Sequence, residues 1–289
     1  MKILVTGASG FSGGNVIRYL IGQGHDVTGL YWKHIPQHVE GCTLLQQNLA
    51  EEINISNHFD GIIHTACTAP GRNVDFLAFK QGNIDSMQQL IKFARKNSIK
   101  CIVNFSTKSI YGEIRVNEIV ESSDRINQDM YGFTKYAAEC ILRDACDIDG
   151  INLRVPGITG PGAHNTWLVF TVEQFIKGQP VVISDIMTKN FVWIFDIAAF
   201  AEQLIKQSSC GEHFKYNTVN LASSIAVSNV DIAKKIKQRI NSQSVIESCR
   251  NVSGLGNLDI SRAIEMGYRP HNPIQIVNWY IDSLISKNE

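Results

Sequence analysis

Short apolar runs rich in β-branched residues alternate with longer stretches of helical periodicity over residues 1–155, the pattern of strands and helices taking turns. Strands are predicted at 3–6, 27–32, 43–46, 61–67 and 102–105. After the first, Val16, Ile17, Leu20 and Ile21 fall on one helical face, and Gly22 and Gly24 close the segment. A long helix is predicted over 73–96, and another opens at Tyr131 and continues through Ala137, Ala138, Ile141 and Leu142. Such alternation covers both faces of a sheet, which predicts an α/β fold with a doubly wound parallel sheet. Beyond residue 155 the pattern is less regular, with helices at 166–177, from 196, at 229–239 and from 272, and strands at 181–183, 191–195 and 216–221. The expected organisation is a sheet domain over 1–155 and a smaller C-terminal α/β substrate domain over 156–289, with segments of the second returning to the main sheet.

Composition narrows the class rather than the chemistry. The chain of 289 residues carries 27 basic and 27 acidic side chains, so net charge gives no reason to expect nucleic acid or an anionic membrane as partner. Hydrophobic content of 44% suits a globular enzyme, and no apolar run is long enough to span a bilayer. The N-terminus already reads as a strand rather than a signal peptide. Seven scattered cysteines never form Cys-x-x-Cys, which predicts reduced thiols and a cytoplasmic location. Neither these nor the eight histidines show ligand spacing, so no metal site is expected.

The candidate chemistry begins where the first strand meets the first helix. Gly7, Gly10 and Gly13 stand three apart. In that position Gly7 permits a tight turn, Gly10 lets a pyrophosphate approach bare backbone, and Gly13 lets helix and strand pack closely. The helix N-terminus, at Phe11, Ser12 and Gly13, offers N–H groups to the phosphates, so a Rossmann-type dinucleotide site is predicted. The second strand ends Tyr31-Trp32-Lys33, without the carboxylate that would hold ribose hydroxyls and select NAD. Lys33 either pairs with a 2′-phosphate or stands solvated; the expectation leans to NADP over NAD. Asn48 and Leu49 make a wall for the adenine, and Thr65, Ala66 and Cys67 leave room for diphosphate and ribose. His64, inside the apolar run, reads as a core histidine.

The fifth strand ends at Ser106 and Thr107, where open α/β sheets bind ligands. Tyr131 and Lys135 follow at i, i+4 on one helix face, and of the eight tyrosines only Tyr131 has a lysine four residues on. An ammonium beside the phenol favours the phenolate and lowers its pKa, giving a general acid/base for a carbinol or ketone.

Together, Gly7-x-x-Gly-x-x-Gly13, Asn83, Ser106-Thr107, Tyr131-x-x-x-Lys135, Gly160-Pro161-Gly162 and Phe191-Val192 resemble the extended short-chain dehydrogenase/reductases of the nucleotide-sugar epimerase/dehydratase family. The resemblance implies Thr107, Tyr131 and Lys135 as the catalytic set, with Lys135 also holding the nicotinamide ribose and Asn83 at the family's helix asparagine. It implies a homodimer paired through the helices that contain Asn83 and Tyr131. It also implies a nucleotide-sugar substrate, with Thr107, Gly157 and Lys189 at its positions. Two of these depart from the family: Gly157 replaces an asparagine, and Lys189 stands where an arginine is common. The Asp-Glu pair of 4,6-dehydratases is replaced by Lys108-Ser109, which sets dehydration aside.

The expected function is reduction of a nucleotide-activated 4-keto-6-deoxysugar with NADP or NAD. Alternatives are a 4-epimerase with tightly held NAD, a reductase of a non-nucleotide carbonyl, and a non-catalytic dinucleotide sensor.

Overall fold

The computed structural model describes residues 1–36, 38–185, 187–249 and 256–285. In the first half, β1 (Lys2–Thr6), α1 (Phe11–Gly22), β2 (Asp26–Tyr31), β3 (Cys42–Gln46) and β4 (Gly61–His64) lead to α2 (Phe76–Phe79), a π-helical turn (Lys80–Asp85) and α3 (Ser86–Lys96). β5 (Cys101–Thr107) runs into a 3-10 turn (Lys108–Tyr111), followed by β6 (Glu118–Ile119), α4 (Met130–Arg143) and β7 (Asp149–Val155). Then come β8 (Gly157–Thr159), α5 (Trp167–Ile176), β9 (Val181–Ser184), β10 (Thr188–Lys189), β11 (Phe191–Trp193) and α6 (Ile194–Ser209). The described chain continues through β12 (Thr218–Asn220), β13 (Val227–Ser228), α7 (Asn229–Ile240), β14 (Ile246–Cys249), β15 (Asn257–Leu258), α8 (Ser261–Glu265) and α9 (Pro273–Ile285).

Seven parallel strands form the main sheet in the order β12-β7-β5-β4-β1-β2-β3. The strand order reverses between β1 and β4, and ligands of such sheets bind in the crevice at that switch point. One face is covered by α1 and α6 through Val16, Ile17, Leu20, Ile197, Phe200 and Leu204. The other is covered by α3 and α4 through Leu90, Ile91, Ala138 and Leu142. Each such side chain, removed from water, contributes roughly 1.5–3 kcal/mol before chain entropy is subtracted. β12, from the second half, pairs with β7, register Val219 to Leu153. A separate apolar cluster joins α5, α7, α9 and β9 through Phe175, Ile183, Ile232, Ile236, Ile276 and Tyr280.

Three predicted elements differ. The strand predicted at 61–67 stops at His64, because Thr65 and Ala66 leave the ladder and bond to β1 instead. The Thr65 hydroxyl donates to the Thr6 carbonyl at 2.7 Å and the Ala66 N–H to the Thr6 hydroxyl at 3.2 Å. The helix predicted over 73–96 is broken by the π-helical turn, whose Asn83 is fully engaged with neighbouring segments. The strand predicted at 191–195 gives way at Ile194 to α6, whose first turn carries Asp196. An acidic side chain there complements the helix dipole, and Asp196 also binds the Nδ1 of His271 at 2.6 Å.

Candidate functional site

At the carboxyl edge of β1 and β4 lies a groove of about 720 Å³. Its floor is the β1–α1 corner. Gly7 has φ +76°, and a Cβ on Gly13 would lie 2.2 Å from the Gly7 carbonyl oxygen, so both positions demand glycine. Gly10 precedes α1 with no side-chain cap, leaving backbone N–H groups at Phe11, Ser12 and Gly13 facing the groove. That cradle fits a dinucleotide: bare backbone at the approach, donors and the positive end of a helix dipole behind it. Tyr31, Lys33, Asn48, Leu49, Thr65, Ala66 and Cys67 all line this groove, with Lys33 exposed at the rim. Asn48 is held by its own turn, its side-chain Oδ1 accepting the Ala50 N–H at 3.1 Å.

Asn83 is buried beneath the groove rather than lining it. Its oxygen accepts the Thr68 N–H at 2.9 Å and its amide donates to the Thr134 hydroxyl at 3.0 Å. It therefore ties the loop after β4 to α4. The wide π turn that carries it is the kind of irregularity often found at functional sites.

A second cleft of about 470 Å³ opens beside the first, lined by Thr107, Lys108, Ser109, Gly157, Lys189 and neighbours. Thr166, the residue before α5, lines both spaces and marks where they meet. Thr107 and Tyr131 stand at the same junction. The Asp129 side chain accepts the Gly132 N–H at 2.7 Å, which fixes the start of α4 and so places Tyr131 in its first turn. The Tyr131 hydroxyl lies against Thr107 and Cys67. Its ring packs at 6.2 Å from that of Phe79.

The electrostatics differ from the sequence expectation. Burial, rather than Lys135, dominates Tyr131 and raises its pKa above the usual phenol, with Cys67 adding to the rise and Thr107 opposing it. Burial likewise lowers Lys135, while Cys67 and Glu139 act against it. The Lys135 ammonium, one turn along α4 from Tyr131, donates to the Phe105 carbonyl at 2.7 Å. One turn beyond, Glu139 pairs with Arg154 at 2.7 Å, each side chain 3% exposed. The Ser106 hydroxyl donates to the same carboxylate. His64 is the core histidine predicted: bonded to Thr6 at 2.7 Å, its pKa is lowered to about 3 by burial and then by the Lys135 charge.

At the expected substrate positions, Gly157 is exposed, and a Cβ there would stand 3.7 Å from Thr166, so the glycine leaves open room. Lys189 is half-buried on β10 and lines the same cleft. The structure adds residues that the sequence reading passed over. Lys108 was noted there only as the loss of a carboxylate, yet it lines the cleft. Thr166 and His164 reach the groove from far along the chain, with no local signal; the His164 ring meets Phe11 edge-on at 6.0 Å. Among the described residues no helix is long and apolar enough to cross a membrane.

Known proteins resemble the chain along its whole length. Agl12, a low-salt glycan biosynthesis protein of Haloferax volcanii, is 24% identical over 300 residues, covering 93% of this chain and 94% of its own. YtcB of Bacillus subtilis, an uncharacterised UDP-glucose epimerase, is 25% identical over 295 residues, covering 92% of each chain. A UDP-glucuronic acid 4-epimerase from Bacillus cereus, solved in complex with NAD, shares the fold with a TM-score of 0.81 at 20% identity, over 100% of both chains. The profile of the NAD dependent epimerase/dehydratase family matches residues 3–222, and the chain belongs to that family.

Proposed function

We propose that this protein is a nucleotide-sugar 4-epimerase that works with NAD. The observation that carries the reading is the junction of groove and cleft at Thr107 and Tyr131, with no carboxylate among the described residues lining either space. Elimination of water requires an acid and a base in addition to the redox site; here the tyrosine stands as the one proton carrier. Oxidation followed by re-reduction at one carbon needs nothing more. Reduction of a 4-keto sugar was the first expectation from sequence, but relatives named as epimerases and a 4-epimerase bound to NAD support the redox-neutral reaction better.

In this scheme Tyr131 takes the proton of the sugar hydroxyl while Thr107 hydrogen-bonds the same oxygen. The corner at Gly7, Gly10 and Gly13 would hold NAD, which would supply the hydride acceptor and donor for that carbon and a positive ring opposing the effect of burial on the phenol. Lys135, held by the Phe105 carbonyl, supports the phenolate. The room left at Gly157 lets the keto intermediate turn its other face before Tyr131 gives the proton back. The proton and hydride removed are both restored, so no cofactor is consumed.

The test is to purify the protein without added cofactor, denature it and assay for released NAD, then incubate it with UDP-glucose, UDP-N-acetylglucosamine and UDP-glucuronic acid. Bound NAD and a 4-epimer product support the reading; stoichiometric NADPH oxidation on a 4-keto sugar sinks it. That second outcome would favour net reduction, a reading that Lys33 at the groove rim keeps open.

A further inference from the structure

Lys108 and Lys189 line one cleft, the expected substrate site, without a counter-charge. Lys108 is the first residue of the 3-10 turn, bonded directly to Thr107; Lys189 ends β10 and lines the same cleft. Both are drawn out of water, which lowers both ammonium groups, Lys108 to about 8. The charge of Lys189 is the second cause of the Lys108 shift, so the two cations lie within each other's field. The Lys108 ammonium donates to the Gly256 carbonyl, which orients it but does not neutralise it. Every other described residue lining the cleft is uncharged, and neither lysine makes an ion pair among the described residues. Two solvated surface lysines would show neither the shared cleft nor the mutual repulsion.

We infer that Lys108 and Lys189 form a two-cation clamp for the diphosphate of the substrate. The inference rests on the nucleotide-sugar reading and adds to it the residue that completes the anion subsite. A lysine is a point charge without the fork that lets one arginine hold a phosphate bidentately. Two lysines in one cleft supply one contact for each phosphoryl group. A sugar carboxylate, with one negative charge, would not need both. Because Lys108 adjoins Thr107, the clamp also ties the linker to the place where the sugar oxygen reacts. Binding energy from the linker then positions the reacting carbon.

The experiment is calorimetric titration of the full-length protein with UDP, uridine and UDP-glucuronic acid, comparing wild type with Lys108→Met, Lys189→Met and the double variant. Circular dichroism and NAD content serve as folding controls. Expected is a loss of UDP affinity of about tenfold or more in each single variant, with uridine unaffected and the double variant losing less than the product of the two. UDP affinity within twofold of wild type in Lys108→Met overturns the clamp. So does a loss confined to UDP-glucuronic acid, which would assign Lys108 to a sugar carboxylate. If wild type binds none of UDP, dTDP, GDP, CDP or ADP, the nucleotide-sugar reading itself fails, and the clamp with it.

Discussion

Replacing Glu139 by alanine would leave the Arg154 guanidinium buried with its charge unpaired. Glu139 accepts from the Arg154 Nε at 3.1 Å and from its Nη2 at 2.7 Å, and also from the Ser106 hydroxyl. The remaining Arg154 contacts, the Tyr111 hydroxyl at 3.0 Å and the Glu121 carbonyl at 2.8 Å, are neutral. Breaking a buried pair from one side costs about 3–5 kcal/mol, since the stranded ion keeps its desolvation penalty. Against a total stability of roughly 5–15 kcal/mol this is a large fraction, and it corresponds to a fall in Tm on the order of 10 °C. Urea unfolding followed by circular dichroism reads the change directly. The double variant Glu139→Leu with Arg154→Met removes both charges together and is expected to cost less than Glu139→Ala alone. A loss below about 1 kcal/mol in Glu139→Ala, or a double variant as costly as the sum of its parts, would refute the reasoning. Either result would mean that the pair is reached by water.

Tyr131→Phe keeps the ring against Phe79 but removes the proton carrier, so turnover is expected to fall by about 10²–10⁴ with NAD content unchanged; turnover near wild type rejects the mechanism. Gly13→Ala drives a methyl group to 2.2 Å from the Gly7 carbonyl oxygen and is expected to abolish NAD retention, measured as released cofactor per protein. His64 titrates at about 3 when folded against its usual 6.5, so the unfolded chain takes up a proton first as pH falls. Stability is therefore full above 6.5 and lost as pH drops towards 3, by on the order of 5 kcal/mol. Acid unfolding of His64→Gln should show a shallower limb; an unchanged slope would remove His64 from the account. Finally, Phe76 and Leu77 are exposed on α2, just before the π-helical turn with Asn83, and Met130 and Phe133 on α4 with Tyr131; the resemblance implies a homodimer paired through the helices of Asn83 and Tyr131. Light scattering at micromolar concentration should report twice the monomer mass, and Phe133→Lys should halve it.

Much of the site was legible because its signals are local. A positive φ at Gly7 and a tight approach at Gly13 are demands that single positions make on the backbone, and glycine answers them visibly. Tyr131 and Lys135 share a helix face by periodicity alone, and Thr107 ends a strand whose apolar run marks it. The elements that were misjudged failed for a tertiary reason. The helix over 73–96 has continuous helical propensity, and only contacts from Asn83 to Thr68 and Thr134, 15 and 51 residues away, accompany the π turn. The effect of Lys135 on Tyr131 was misjudged similarly: spacing predicts their proximity, whereas burial depends on everything packed around them.

By itself, then, the chain determined the parallel sheet, the glycine corner and the sharing of one helix face by Tyr131 and Lys135, because each follows from periodicity or from spacing within one segment; the role of Thr107 came from resemblance. Tertiary structure alone decided that the groove and the cleft meet at Thr166, that Glu139 and Arg154 neutralise one another, and that Lys108 and Lys189 share one cleft. Those are relations between segments distant in sequence. Their energies come from shared burial and charge, which no one segment encodes.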